Sequence, residues 1–342
     1  MADRSLIEWT DATWNPITGC TPVSDGCTNC YAKQMAKRFP HLHNAAVPTT
    51  MARRASEELF REIRFHPSRL DQPLRWKKPR RIFVCSMGDL FHEDVPSSDI
   101  CSVFRMIKRC RRHTFMVLTK RPRRMKEFID DYAEILTNLW LGVTAENQGM
   151  ADLRIPILLQ TPAVKRFVSI EPCIGSVDLT KAVRHYGPAE IAEGMAPLDV
   201  EIDALRGRFD DGWDSGDAGV KLDWVICGGE SGPGARPMHP DWPRSLRDQC
   251  QAAGVPFFFK QWGEWCPDDF STVLPSGATP RRKWVHVVTG EAFDYSYPTN
   301  TAQMMSVGKK AAGCLLDGRE WKEFSNNGLP EDIRRQHDKE ER

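Results

Sequence analysis

Thr114-Phe115-Met116-Val117-Leu118-Thr119 is a short run of β-branched, aromatic and aliphatic residues closed by Lys120-Arg121-Pro122, and the chain repeats this pattern. The same kind of run recurs at Arg81–Ser86, Leu139–Thr144, Val164–Ser169, Leu222–Cys227 and Val255–Lys260, and an earlier strand is expected within Ile7–Ile17. Runs this short and this apolar read as strands buried on both faces. Between them lie segments of helical character. Ile100, Val103, Phe104 and Ile107 fall on one helical face behind Ser97-Ser98-Asp99, a candidate cap, and the segment Asp241–Ala253 stops at Gly254. Strands alternating with helices predict a parallel α/β sheet. Six or seven such units point to a full or partial TIM-type barrel, with a doubly wound open sheet as the competitor.

The chain has 342 residues, with 47 Lys and Arg against 46 Asp and Glu and 41% hydrophobic residues. That is the composition of a globular protein, and it excludes collagen, coiled coil and wholesale disorder. No apolar stretch approaches the ~18 residues of a membrane span. The charged opening MADRSLIEWTDATW lacks the apolar core of an export signal, so a cytoplasmic location is expected. The near-neutral total hides an asymmetry. Arg75–Lys126 carries 15 Lys and Arg against 4 Asp and Glu, whereas Gly187–Asp223 carries 3 against 10. The first reads as a footprint for a polyanion, the second as part of a solvated insertion at about 175–221. The sequence divides into a barrel at 1–261, a small β-containing cap at 262–330 with hairpins around Thr289-Gly290 and Asp317-Gly318, and a charged tail at 331–342.

Each predicted strand ends in polar residues. Ser86-Met87-Gly88-Asp89, Thr119-Lys120-Arg121, Thr144-Ala145-Glu146-Asn147, Ser169-Ile170-Glu171, Gly228-Gly229-Glu230-Ser231 and Lys260-Gln261-Trp262-Gly263-Glu264 occupy the ends where parallel α/β folds bind ligands. Turn and cap chemistry accounts for one or two of these clusters, but not readily for six in register. Lys120, Glu146, Glu171 and Glu230 are the candidate catalytic groups. His92, beside Asp89, is a further site candidate, and the Trp262 and Trp265 pair reads as packing.

The most specific chemistry lies in Gly19-Cys20-Thr-Pro-Val-Ser-Asp-Gly26-Cys27-Thr-Asn-Cys30-Tyr31. Cys27 and Cys30 can aim two sulfurs at one centre from a single turn, and Cys20 returns across a loop containing Pro22 and Gly26. Soft thiolates select zinc or an iron–sulfur cluster. A zinc site needs a fourth ligand such as His41, His43 or Cys266, whereas three thiolates on a cluster leave one iron open.

A three-cysteine loop directly after the first strand of a parallel barrel resembles the radical S-adenosylmethionine enzymes. The Cys30-Tyr31 ending is similar to their spore photoproduct lyase branch. The blocks Trp14–Cys20, Asp89–His92, Leu118–Pro122, Gly228–Gly232 and Lys260–Gly263 resemble the phage gp thirty-seven/sixty-eight family. The spacing is C-x6-C-x2-C with Asn29 before the third cysteine, where the common radical pattern is C-x3-C-x2-C with an aromatic residue there. The resemblance implies a [4Fe–4S] cluster on Cys20, Cys27 and Cys30, S-adenosylmethionine on its free iron, and an external electron donor. It assigns Ser86, Gly88 and Asp89 to the methionine amino group and makes Lys120 and Arg121 candidates for the cofactor carboxylate or a substrate phosphate. Thr144, Glu146, Gly228 and Gly229 are further cofactor candidates. Two basic stretches, Arg75–Arg81 with five cations around Trp76 and Lys120–Lys126 with five more, point to a nucleic acid or nucleotide substrate. The alternatives are a zinc-stabilised nucleic-acid-binding protein without turnover and a metal-independent barrel hydrolase using Glu146, Glu171 or Glu230.

Overall fold

The computed structural model describes residues 5–39, 58, 60–184, 200–210, 215–217, 219–268, 280–295 and 299–325. His41, His43, most of the acidic stretch before Val200 and the charged tail lie outside the described residues. The main sheet is built from β1 (Ala12–Trp14), β2 (Arg81–Val84), β3 (Thr114–Thr119), β4 (Leu139–Thr144), β5 (Lys165–Ile170), β6 (Trp224–Gly228) and β7 (Phe257–Gln261). Their order in the sheet is their order in the chain. A doubly wound sheet must reverse direction at a switch point. This sheet never does, so the open-sheet competitor falls and a mixed α/β architecture compatible with a partial barrel stands.

The predicted strands sit within a few residues of their expected positions, because each is apolar enough to be buried on both faces. All six residues of β4 and all five of β6 are buried. The helices are α1 (Tyr31–Arg38), α2 (Ser97–Arg109), α3 (Pro122–Tyr132), α4 (Gln148–Gln160) and α5 (Asp241–Ala253). In α2 the expected face of Ile100, Val103, Phe104 and Ile107 is buried, but no side chain caps its first turn. Pro96 precedes it and Asp99 serves only as an acid near the helix N-terminus. Helix α5 ends at Gly254, whose φ of +63° is the left-handed stop expected there.

The chain forms two compact units. The described part of the first lies within 5–143 and 161–166, and that of the second within Thr144–Gln160 and Phe167–Ser325. Within the second, Ala182–Arg184, Val200–Asp203, Arg208–Asp210 and Ser215–Asp217 make an antiparallel sheet of their own. A further antiparallel sheet joins Trp265–Pro267, Thr301–Ser306, Arg282–His286 and Ala292–Phe293. The two expected hairpins are present. Asp317 and Gly318, with φ of +53° and +77°, link Leu315–Leu316 to Arg319–Glu320 with the two positive angles a tight hairpin turn needs.

Candidate functional site

In the first unit the chain leaves β1 through Asn15-Pro16 and reaches the cysteine loop. Asn15 Oδ1 accepts the Met87 N–H at 2.9 Å and the Ser86 hydroxyl at 3.2 Å, which ties the exit of β1 to the exit of β2. Gly19 then passes against Gly88. A Cβ on Gly88 would stand 2.8 Å from the Gly19 carbonyl oxygen, and one on Gly19 would stand 2.3 Å from that of Glu62. The backbone that closes on Gly88 is therefore this chain's own, which explains the glycine without a ligand. Cys27 and Cys30 follow in one tight turn, Cys30 N–H donating to Cys27 O, and Cys30 opens α1. Tyr31 donates its hydroxyl to Ser86 O, pinning the start of that helix to the end of β2.

Cys20, Cys27 and Cys30 line one small, solvent-open cavity of about 40 Å³, with Thr21, Pro22, Lys33, Phe60 and Arg61 completing its wall. Among the described residues, no group of three or more His, Cys, Asp or Glu is gathered closely enough to hold a single metal ion. The sulfurs border a space instead of converging on a point.

Behind the loop lies a buried polar knot. Asp89 accepts from Thr119 Oγ1 at 2.7 Å, from the Phe91 N–H at 3.0 Å and from Arg121 at 3.2 Å. Its carboxylate is thus occupied by protein donors and not held open for a cofactor ammonium. Arg121 is the hub. It also donates to Glu93 at 2.7 Å, to Thr21 O and Oγ1 at 3.0 Å each, and to Cys20 Sγ at 3.5 Å. His92 completes the clamp. The Asp94 N–H donates to its Nδ1, so the ring proton sits on Nε2 and is donated to Thr21 Oγ1 at 2.8 Å. Burial, followed by the Asp89 charge, pushes the Cys20 thiol up to about 12, while Arg121 pulls the other way. Burial and the same guanidinium hold His92 below its ordinary value. The half-buried Lys120 side chain makes no hydrogen bond or ion pair among the described residues.

In the second unit every candidate carboxylate has a cation. Glu146, fully buried, meets Arg154 at 2.8 Å, and Arg154 also donates to Thr144 O at 2.7 Å. Glu230 takes Arg236 through two side-chain bonds and a backbone N–H. Glu171 meets Lys260 at 2.9 Å. The last pair depends on two local devices. The register between β6 and β7 slips so that Cys227 faces Phe259 and Gly228 faces Gln261, leaving Lys260 as the extra, re-aimed residue of a bulge. Gly228 leaves room for Glu171, because a Cβ there would stand 2.6 Å from Glu171 Oε1. The next glycine is a packing requirement. A Cβ on Gly229 would stand 1.9 Å from the Trp262 carbonyl oxygen, and one on Gly263 would stand 2.1 Å from that of Glu230. The Gly-Gly-Glu and Lys-Gln-Trp-Gly blocks lock together as backbone against backbone.

Other sequence expectations need correction. Trp76 cannot stack on a base: it is buried, packed edge-on to His113 and covered by Arg80 at 5.0 Å. The stretch 120–126 is not a uniform cationic surface, since Arg121 is interior, Arg124 donates to Val95 O and Lys126 pairs with Asp130. Trp262 and Trp265 are buried packing groups, as read. Thr21, Asn15 and Arg154 were missed. Only Asn15 had a signal, its place in the Trp14–Cys20 block; the other two become visible through partners 100 and 8 residues away.

Among the described residues no helix is long and apolar enough to cross a membrane. The family described as "Protein of unknown function (DUF5131)" matches the chain over residues 4–325, so the chain belongs to it. No curated protein and no solved structure matches it.

Proposed function

We propose that this member of the family of unknown function is an iron–sulfur enzyme of the radical S-adenosylmethionine type, acting on a nucleic acid or nucleotide. The observation that carries the reading is the three-thiol wall of one cavity, Cys20, Cys27 and Cys30, at the exits of β1 and β2. Three soft donors spread around a space suit a polynuclear iron–sulfur group. A single zinc ion would draw its sulfurs to about 3.8 Å of one another, given Zn–S bonds of about 2.3 Å in a tetrahedron. When bound, the cluster and S-adenosylmethionine supply one-electron chemistry; the protein's part is to hold and shield them.

The chain's own residues divide that work. Arg121 and His92 fix Thr21, and through it the backbone carrying Cys20. Asp89 neutralises Arg121 and sets its fork. Lys33 and Arg61 place positive charge on the cavity wall, suited to a carboxylate, and Lys120 is a further cation for the same purpose. The hydrolase alternative has less support, because Glu146, Glu171 and Glu230 are each already engaged by a cation of the protein itself.

Anaerobic purification tests the reading. About four irons and four sulfides per chain are expected, with 5′-deoxyadenosine released on reduction in the presence of S-adenosylmethionine. A colourless protein carrying one zinc would overturn it, as would a loaded, reduced cluster that binds S-adenosylmethionine and releases nothing.

A further inference from the structure

We infer that the first unit carries a nucleic-acid docking face at the amino-terminal edge of β2 and β3, away from the cysteine cavity, which takes duplex phosphate backbone without reading sequence. The inference deepens the substrate class proposed above but does not depend on the cysteine cavity or on any cluster.

Two basic segments separated in the chain are brought together here. One is the approach to β2, with Lys77, Lys78 and Arg80. The other is the passage from α2 into β3, with Arg109, Arg111 and Arg112. Arg81 pairs with Thr114 across the sheet, so the two strands begin side by side. Three further links fasten the segments: Arg112 Nη1 donates to Lys77 O at 3.0 Å, His113 Nε2 to Pro73 O at 3.1 Å, and the Thr114 N–H to Arg80 O at 2.9 Å. The strands are parallel and have four and six residues, so at about 3.3 Å per residue this edge lies about 13 to 20 Å from the strand ends that meet the cysteine loop.

The face differs from ordinary solvated charge in gathering four unpaired cations from two segments fastened side by side. Elsewhere in this unit some exposed cations have acids, as in Arg75 with Asp71 and Lys108 with Glu134, and those unpaired among the described residues, Arg61, Arg105 and Arg123, are scattered along the chain instead of gathered at one strand edge. Lys77, Lys78, Arg109 and Arg111 are exposed and make no ion pair among the described residues. The field beneath them is positive as well. After burial, the charges acting on His113 are Arg112 and Arg80, and those acting on Cys110 are Arg109 and Arg112.

The occupant follows from the chemistry. Guanidinium groups fit phosphate oxygens as forks, and four of the six cations are Arg. Trp76 is buried under Arg80, so this ring is closed to an unpaired base. Backbone charge is then the main handle, and a duplex presents more of it per length than a single strand.

The test is fluorescence anisotropy of the full chain with a labelled DNA duplex of about 20 base pairs and the matching single strand, titrated between about 50 and 200 mM salt. The expected result is salt-dependent, sequence-independent binding that favours the duplex. In the combined variant K77A/K78A/R109A/R111A, affinity should fall about tenfold or more and the salt slope by about 3 to 4 units, near 0.9 per lost contact. Removing three exposed cations of the second unit, in R208A/K221A/K310A, should change neither. The melting temperature should hold in both variants, since all these side chains are exposed. No duplex binding at the lowest salt, equal loss in the two variants, or binding only to phosphatidylserine vesicles would overturn the inference.

Discussion

In the first unit the buried carboxylate Asp89 shares its cation, Arg121, with a second acid, a threonine and a thiol on a cavity wall. In the second unit Glu146, Glu171 and Glu230 meet Arg154, Lys260 and Arg236. Paired charges of the second kind are closed accounts that hold loops in place. A shared guanidinium transmits: whatever occupies the space beside Cys20 is felt at Asp89, Glu93 and Thr21. The contrast teaches where chemistry is expected, namely at the network that ends on an open cavity.

The comparison breaks most sharply at the thiols. C20A/C27A/C30A is expected to lose all bound iron and all 5′-deoxyadenosine formation while keeping its melting temperature within a few degrees. Iron analysis and calorimetry check this, and a variant that retains iron would move the chemistry elsewhere. Next in size is the closed pair of the second unit. Arg154→Met strands the fully buried Glu146 and should cost about 3 to 5 kcal/mol in urea unfolding, without altering iron content per folded chain. Arg121→Lys keeps the charge but loses the fork to Thr21, Asp89 and Glu93. A loss of about 1 to 3 kcal/mol is expected, together with a more negative reduction potential of the bound cluster, because an N–H donor to Cys20 sulfur is removed. A potential unchanged from wild type would reduce Arg121 to scaffolding.

The smallest effect is on pH. Burial, then Arg112 and Arg80, holds the His113 imidazole below its ordinary value. The unfolded chain therefore takes up this proton first, near pH 6.5. The native state is fully favoured above that pH and loses stability as pH falls below it. His92 and His239 are lowered in the same direction, also by burial first. In His113→Gln the drop in urea midpoint between pH 7.5 and 5.5 should shrink, not vanish.

Much of the frame was legible. Leu139–Thr144 and Thr114–Thr119 coincide with β4 and β3 residue for residue, because a doubly buried strand has no polar position to blur its period. The cysteine loop was legible as a donor set. Its clamp was not. Lys120-Arg121-Pro122-Arg123-Arg124 reads as one positive run, and nothing in it marks Arg121 as the member that turns inward when Pro122 starts a helix. Trp76 misled for the same reason, since a tryptophan among five cations looks like a stacking platform until its burial is seen. Gly228-Gly229-Glu230 was read toward a cofactor. Gly229 instead makes room for the Trp262 backbone, a neighbour 33 residues away.

Composition and local period determined the parallel strands, the helices between them and the identity of the three sulfur donors, because those properties depend on residues a few positions apart. Tertiary structure alone decided which charges are spent inside, which remain on the surface, and that the sulfurs border a cavity. Those outcomes depend on partners tens of residues away, whose approach is set by how the sheet orders its strands.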